Sequence, residues 1–155
     1  MQSWTEPRHT SREVTAAGKL LYHSEVSKNS ESYLKATEVV ENWRDAHNYP
    51  LHVIKKRLKA YAKKVDSASA VGQRIKRLRS IEAKMKKESG MRLAQMQDIG
   101  GCRAVLDDTH KVLELVRLYK ERTEHKFARE KDYFAEPRNT GYRSYHLIYR
   151  FNVES

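Results

Sequence analysis

The sequence predicts an α+β protein, in which N-terminal helices pack on a mixed β-sheet. Apolar side chains recur at helical spacing in the first part of the chain, as far as Val65. From residue 144 to 153 the pattern instead alternates and is rich in Val, Tyr, Phe and Ile, which is typical of a strand. We therefore expect a helical region at 1–70 and a core at 71–155, whose elements follow in the order β-α-β-β.

Composition narrows the range of functions. The chain has 155 residues, enough for about one domain, and its formal net charge of +11 indicates an anionic partner such as nucleotide, nucleic acid or membrane surface. Its single cysteine, Cys102, excludes an internal disulfide and fits a reducing compartment. No apolar run approaches the roughly 20 residues of a membrane helix, and the N-terminus does not resemble a signal peptide. We therefore expect a soluble, cytoplasmic protein.

Three helices are predicted in the N-terminal half. The first starts after Thr10, which has capping-box spacing to Glu13, and ends near His23. The second follows an N-cap at Asn29 or Ser30, and the third opens at Pro50. The third helix has an unbroken apolar stripe, formed by Leu51, Ile54, Leu58, Tyr61 and Val65. Its other face carries lysines, of which Lys55, Lys56, Lys59 and Lys63 are candidates for contact with RNA. Such a face is more often simply solvated.

The second half of the chain reads as a linker at 67–72, a short helix and then the core elements. The short helix places Ser80 and Lys84 four residues apart, and hence on one face. A strand at 99–106 contains Gly100-Gly101, which would allow another group to approach the backbone closely. A helix after Asp107-Asp108-Thr109 and a strand at 125–133 precede the last strand.

The last strand begins behind an Asn-Thr-Gly turn and carries a chemically suggestive pair. Side chains two apart share a face, so Tyr142 and His146 should point the same way, with Tyr142 exposed. The opposite face, with Tyr145, Leu147, Tyr149 and Phe151, should be the core side. Such a pair suits a base or sugar stacked on the tyrosine, with a phosphate or hydroxyl near the histidine. Two half-buried strand residues without a function are the alternative.

Four groups of polar residues lie where a sheet protein would not need them. They are Arg74, Lys76, Ser80 and Lys84; Asp98 with Arg103; Arg138, Tyr142 and His146; and Lys131 with Asp132. Arg103 lies within a strand, where burial of an unpaired charge is costly. Triphosphate recognition requires fixed cations, a carboxylate for Mg²⁺ and a planar platform for a base, and each has a candidate here. The sequence lacks a GxxxxGK[ST] loop, a His/Cys metal spacing and a Ser-His-Asp order, which excludes P-loop enzymes in particular.

Several of these residues also form motifs that resemble the synthetase domain of the RelA/SpoT alarmone synthetases, which has a nucleotidyltransferase-like sheet. The resemblance covers roughly residues 10–151. The motifs are Arg74-Ile75-Lys76 with Ser80-Ile81 and Lys84, Asp98-Ile99-Gly100-Gly101-Cys102-Arg103, Lys131-Asp132-Tyr133, and Gly141-Tyr142-Arg143-Ser144-Tyr145-His146. In the family, these motifs often follow a further segment. That segment is similar to Trp43-Arg44, His47 and Tyr49-Pro50-Leu51 of this chain.

This resemblance implies transfer of the β,γ-pyrophosphate of ATP to a ribose 3′-hydroxyl, with release of AMP and Mg²⁺ as the cofactor. By position, Arg74 and Arg103 would flank the adenine, and Asp98 would bind Mg²⁺ near the attacking hydroxyl. Asp98 and Arg103 are thus the expected catalytic residues. The ATP phosphates would be held by Lys76, Ser80, Lys84 and Lys131. The acceptor would stack on Tyr142, with Arg138 and His146 on its phosphates.

One family feature is absent from the sequence. The family has a second acidic ligand, a Glu on the strand after the one that carries His146, and Glu154 is too close to His146 to replace it. We therefore expect the C-terminal part of the sheet to be missing. The chain would then be a fragment, be completed by a second piece, or be inactive alone as a nucleotide- or RNA-binding remnant.

The resemblance leaves the acceptor open. Housekeeping members modify GDP or GTP, whereas toxin relatives from toxin–antitoxin and phage-defence systems modify adenine nucleotides or the 3′-terminal adenosine of tRNA. Tyr142 can stack on any purine, so it does not discriminate between them. The net charge and the lysines of the third helix favour tRNA slightly. A toxin would have an antitoxin or a regulatory domain as a further partner. No hydrolase-type His-Asp motif precedes the domain, so synthesis without degradation is expected.

Overall fold

A computed structural model describes residues 3–151 of the chain. Within these residues the chain forms helices α1 (Ser11–His23), α2 (Glu31–Asp45), α3 (Asn48–Val65), α4 (Leu78–Lys87) and α5 (Thr109–Arg122), and strands β1 (Ala70–Ile75), β2 (Gly100–Val105), β3 (Lys126–Asp132) and β4 (Tyr145–Arg150). A 3₁₀ turn at Leu93–Gln95 lies between α4 and β2. Strand β1 pairs with β2, and β3 pairs antiparallel with β4. The predicted α+β class is confirmed.

Strand β1 was not expected from the sequence. Residues 67–72 were predicted to be a linker, but the strand begins at Ala70 and takes Arg74 into a sheet. Its apolar residues Val71 and Ile75 are only half-buried, and small or polar residues separate them. The strand therefore lacks the regular alternation by which β4 was recognised.

The predicted helix starts agree closely with the structure. The Thr10 hydroxyl accepts from the Glu13 amide at 3.3 Å, and the Glu13 carboxylate accepts from the Thr10 amide at 2.7 Å, which completes the capping box. Of the two candidate caps for α2, Ser30 is the cap, because its hydroxyl accepts from the Tyr33 amide at 3.2 Å. Helix α3 starts at Asn48 rather than at Pro50, which lies in the first turn, where the missing N–H leaves no intrahelical bond unmade.

The chain divides into two compact units. The first comprises Met1–Val53 and Gln73–Gly101. Its core joins α1, α2 and α4 to the segment around the 3₁₀ turn, and its most deeply buried side chains are Val14, Val40, Ile81, Met85, Leu93 and Ile99. Close packing at this core requires a glycine, because a Cβ at Gly18 of α1 would lie 2.7 Å from the Cβ of Leu93. The expected close approach to the glycine pair occurs at Gly100, where a Cβ would lie 2.9 Å from Leu51 Cδ1.

The second unit comprises Ile54–Gly72 and Cys102–Ser155. The Asp66 side chain is 3% exposed and accepts from the amides of Asp107 and Ala68, each at 3.0 Å, so it connects the end of α3 to the start of α5. The ring of Tyr119 on α5 lies 5.9 Å from that of Tyr61 and 5.7 Å from that of Tyr149, and burial raises the pKa of Tyr119 to about 12. The predicted domain boundary after residue 70 stays a prediction.

The surroundings of two predicted site residues differ from expectation. Arg103 is exposed, because β2 alternates between half-buried and exposed positions, so its charge has no large desolvation cost. Tyr142 is half-buried instead of exposed, and it lies in the loop before β4, which begins at Tyr145. Residues 145–149 are all half-buried, so β4 has no single core face, although Tyr149 contacts Tyr119. Positions 152 and 153 of the predicted strand, and Glu154, lie outside the described residues.

None of the helices within residues 3–151 has both the length and the apolar character that crossing a membrane requires.

The contact at Gly18 gives a stability prediction. A methyl group in Gly18→Ala would overlap Leu93, and overpacking of this kind costs about 1–3 kcal/mol, against a helix-propensity gain of about 1 kcal/mol. We expect the thermal midpoint to fall by a few degrees. Gly90→Ala is the control, because nothing lies within 4 Å of a Cβ there. Equal midpoints for the two variants in a melting experiment would contradict the packing of α1 on Leu93.

Candidate functional site

Three predicted site residues of the first unit meet in a carboxylate cluster, formed by Lys76, Lys84 and Asp98. Lys76 Nζ donates to Asp98 Oδ2 at 2.9 Å, and Lys84 Nζ donates to Asp98 Oδ1 at 2.8 Å. The Lys76 side chain is only 14% exposed, whereas that of Asp98 is 51% exposed. Two cations therefore share one anion, and the cluster carries a net positive charge at a surface that solvent can reach.

The Asp98 carboxylate is ionised at neutral pH. Partial burial acts to raise its pKa, but hydrogen bonds from Lys84 and Lys76 and the charges of both lysines outweigh this effect, so the pKa of Asp98 is lowered. A carboxylate that stays ionised is a suitable ligand for a hard cation.

The backbone of Lys76 is fixed on both sides. Its amide donates to the Ile99 carbonyl at 2.7 Å, and its carbonyl accepts from Arg44 Nε at 2.8 Å. Arg44 also donates to Asp45 at 2.6 Å. The family motifs in the sequence include Arg44 but assign it no role. No spacing rule connects Arg44 on α2 to Lys76, the residue after β1. Arg44 therefore orients the segment that carries Lys76.

The other two residues of the predicted ATP motif lie in the same unit. Arg74 is exposed on β1, and Ser80 is half-buried in the first turn of α4, one turn before Lys84. The amide of Ser80 donates to the Arg77 carbonyl at 2.9 Å. The prediction that Ser80 and Lys84 share a helix is confirmed.

A second group, the aromatic cluster, lies in the second unit and comprises Tyr133, Arg138, Tyr142 and His146. The Tyr142 hydroxyl and His146 Nε2 form a hydrogen bond of 3.0 Å, whose donor depends on the histidine tautomer. The Tyr133 ring is edge-on to Tyr142 at 5.6 Å and to His146 at 5.1 Å. The Arg138 guanidinium lies 4.8 Å from the Tyr133 centroid and 5.9 Å from that of Tyr142. The predicted trio of Arg138, Tyr142 and His146 is therefore brought together, with Tyr133 added.

Three positive charges act on His146. Lys131 lies opposite His146 in the β3–β4 ladder. Burial lowers the pKa of His146, and the charges of Arg138, Lys131 and Arg103 lower it further. These are three of the residues that the sequence assigned to nucleotide binding, so this unit also presents cations around one histidine. The neutral ring can donate or accept a hydrogen bond near neutral pH.

The four candidate RNA-binding lysines lie on α3. Lys56, Lys59 and Lys63 are exposed and Lys55 is half-buried. Helix α3 contains no Asp or Glu, and its remaining cations are Arg57 and Lys64. The helix is therefore strongly basic between Lys55 and Lys64.

The fit to a metal ion depends on Asp98. In the described part of the chain, no three His, Cys, Asp or Glu side chains converge as a metal site. Mg²⁺ is commonly held by one or two carboxylates together with the phosphates of a substrate. One ionised carboxylate beside two lysines fits a magnesium ion that shares its coordination with a polyphosphate.

Comparison with known proteins places these clusters in a family. A family model described as "Region found in RelA / SpoT proteins" matches residues 73–155, more than half of the chain. The chain belongs to the RelA/SpoT family. The matched range contains both clusters, and it confirms the resemblance drawn from the sequence motifs.

Two solved structures resemble this RelA/SpoT chain. The small alarmone synthetase 1 from Bacillus subtilis, bound to its product pppGpp, is 25% identical with a TM-score of 0.63, over 70% of this chain and 61% of that one. A GTP pyrophosphokinase family protein from Streptococcus pneumoniae is 27% identical with a TM-score of 0.64, over 74% and 61%. The domain is therefore of the alarmone synthetase type, and the chain spans about three fifths of the length of these structures. No curated protein matches it.

The position of His146 leads to a prediction about pH. Lys131→Met removes a positive charge that disfavours the protonated ring, so we expect the pKa of His146 to rise toward its ordinary value. The ring signals can be followed by NMR over a pH series and assigned with a His146→Gln variant. Lys126→Met is the control, because Lys126 lies opposite Arg150 at the other end of β3. An unchanged pKa in Lys131→Met, or an equal rise in both variants, would refute this electrostatic account.

Proposed function

We propose that the chain is a pyrophosphokinase that transfers the β,γ-pyrophosphate of ATP to a ribose 3′-hydroxyl. The observation that carries this proposal is the carboxylate cluster, in a chain of the RelA/SpoT family. In the reaction, the 3′ oxygen bonds to the β-phosphorus while the bond from that phosphorus to the α,β-bridging oxygen breaks. AMP leaves with the bridging oxygen, and the hydroxyl proton is released. Negative charge builds on phosphoryl oxygens, so fixed cations are the catalytic groups that this chemistry needs.

The proposed ATP site uses the cations of the predicted motifs. Lys76 and Lys84, with Ser80, hold the phosphates, and Arg74 contacts the adenine. The assignments of Lys131 to the phosphates and of Arg103 to the adenine stay predictions of the family resemblance. When ATP binds, Lys76 and Lys84 exchange Asp98 for phosphate oxygens. Asp98 is the residue that would hold Mg²⁺. When bound, the metal supplies further neutralisation of phosphate charge. The short lysine contacts at Asp98 support this exchange, because both ammonium groups already lie beside the proposed metal ligand.

The proposed acceptor site is the aromatic cluster. Tyr142 stacks on the base of the acceptor, and Arg138 and His146 contact its phosphates. Support comes from the three edge-on rings and from the guanidinium of Arg138 over two of them, which form a surface for a planar, anionic ligand.

We propose the 3′-terminal adenosine of tRNA as the acceptor, and thus a toxin that an antitoxin would neutralise in the cytoplasm. The acid-free basic surface of α3 supports RNA, because contacts between lysines and phosphates are additive and independent of sequence. GDP or GTP is the second candidate. It is supported by the small alarmone synthetase with pppGpp, to which this chain is similar.

The proposed activity is tested by AMP release from ATP and Mg²⁺, with tRNA or with GTP. We expect AMP release with one acceptor and a loss of at least 100-fold in Asp98→Asn, whose amide preserves shape but not charge. A single electrostatic contact to a phosphoryl-transfer transition state is worth about this much. Asp107→Asn is the control, since Asp107 is an exposed aspartate whose side chain pairs with Lys111.

Three outcomes would contradict parts of the proposal. Normal turnover in Asp98→Asn would remove its role as metal ligand. AMP release with GTP alone would reject tRNA as the acceptor. ATP binding without AMP release in either mixture would leave the alternative of a nucleotide-binding remnant.

The basic surface of α3 gives a separate prediction for tRNA. Reversing the charges of Lys55, Lys56, Lys59 and Lys63 to Glu should weaken tRNA binding at least tenfold, and wild-type affinity should fall steeply with salt through counterion release. The matched control reverses four exposed cations of the first unit, which are Arg12, Lys19, Lys28 and Lys35. Filter binding over a salt series measures both. Equal weakening by both quadruple variants would show only an effect of net charge and would reject α3 as the RNA surface.

A further inference from the structure

Tyr133 contacts every other member of the aromatic cluster. Its hydroxyl accepts a hydrogen bond of 2.9 Å from Arg138 Nη2, and its ring is edge-on to the rings of Tyr142 and His146. The hydrogen bond and the nearby charges of Arg138 and Lys131 also lower the pKa of the Tyr133 phenol. The three residues proposed for acceptor binding are therefore connected through one side chain.

Tyr133 is itself anchored by the sheet. Its amide donates to the Ser144 carbonyl at 2.9 Å, which continues the β3–β4 ladder one step beyond the pair of Asp132 and Tyr145. The Asp132 carboxylate accepts from the amides of Phe134 and Ala135 at 2.8 Å and 3.0 Å, so the chain is also held just after Tyr133. Tyr133 thus lies at the fixed base of the loop that carries Arg138 and Tyr142.

Arg138, by contrast, is an exposed side chain on that loop. A free arginine has many rotamers, and holding it in one of them costs conformational entropy each time a ligand binds. A hydrogen bond that orients the guanidinium in advance reduces this cost, and so it increases affinity for an anion without contacting the anion.

We propose that Tyr133 is a positioning residue of the acceptor site, which orients Arg138 toward an anionic group of the acceptor and sets the ring edges of Tyr142 and His146. The assignment to the acceptor rests on the proposed function. In physical terms, Tyr133 increases the affinity of the site for an anion by orienting Arg138.

A double-mutant cycle on the full chain tests this coupling, with pyrophosphate as the probe and the His146 ring signals in NMR as the readout. Tyr133→Phe keeps the ring and removes only the hydroxyl. We expect it to raise the Kd for pyrophosphate about tenfold in the wild-type background and to have no effect in an Arg138→Gln background. Tyr145→Phe is the control, because that hydroxyl bonds Glu130, outside the cluster, and its removal should leave the Kd unchanged.

Each other result overturns the proposal. An unchanged Kd in Tyr133→Phe means that the hydroxyl does not position Arg138. An equal loss in both backgrounds means a general structural role, and so does a similar loss in Tyr145→Phe. If pyrophosphate does not shift the His146 signals of the wild-type protein, the cluster contains no anion site. The measurement needs neither ATP nor turnover, so absence of AMP release would count against the proposed function and not against this role of Tyr133.

Discussion

The attraction between the Asp98 carboxylate and the ammonium groups of Lys76 and Lys84 is the interaction on which the proposed chemistry of this protein depends. Ion pairs that are partly exposed contribute only about 0–1 kcal/mol each to stability. The two bonds, of 2.9 Å and 2.8 Å, therefore do little to hold the fold together. Their consequence is chemical, because they keep two cations and an ionised carboxylate at one place, as a polyphosphate with its metal requires.

The packing of the first unit fixes the geometry of this cluster. Lys84 is on α4, whose Ile81 and Met85 are fully or nearly fully buried. Lys76 is held through its backbone by Ile99 and Arg44, and Ile99 is itself 1% exposed and adjacent to Asp98. Because each of the three polar residues neighbours a buried or hydrogen-bonded one, the core determines where the charges lie. Substitutions in this core are thus expected to affect the site as well as stability.

Local signals in the sequence predicted much of this arrangement. Features that are not local in sequence were not predicted. The caps at Thr10 and Ser30 were predictable because capping bonds join residues three apart. The motif around His146 was predictable because the family resemblance, now confirmed by the family match, carries it. Strand β1 was not, since its partner strand β2 is distant in sequence. The exposure of Arg103 and the half-burial of Tyr142 were not, since they are set by the folded structure and not by a sequence pattern. Arg44 and Tyr133 belonged to recognised motifs, but their contacts with Lys76 and with Arg138 could be seen only in the structure.

The most direct test of the account is whether a metal reaches Asp98 only together with a nucleotide. Mn²⁺ can replace Mg²⁺ and broadens the NMR signals of nearby amides, such as those of Ile99 and Gly100. With α,β-methylene-ATP, which resists cleavage at that position, we expect strong broadening that Asp98→Asn abolishes. Without nucleotide we expect little, because the lysines occupy the carboxylate. Equal broadening with and without nucleotide, or broadening that persists in Asp98→Asn, would contradict the carboxylate cluster as the site of ATP and its metal.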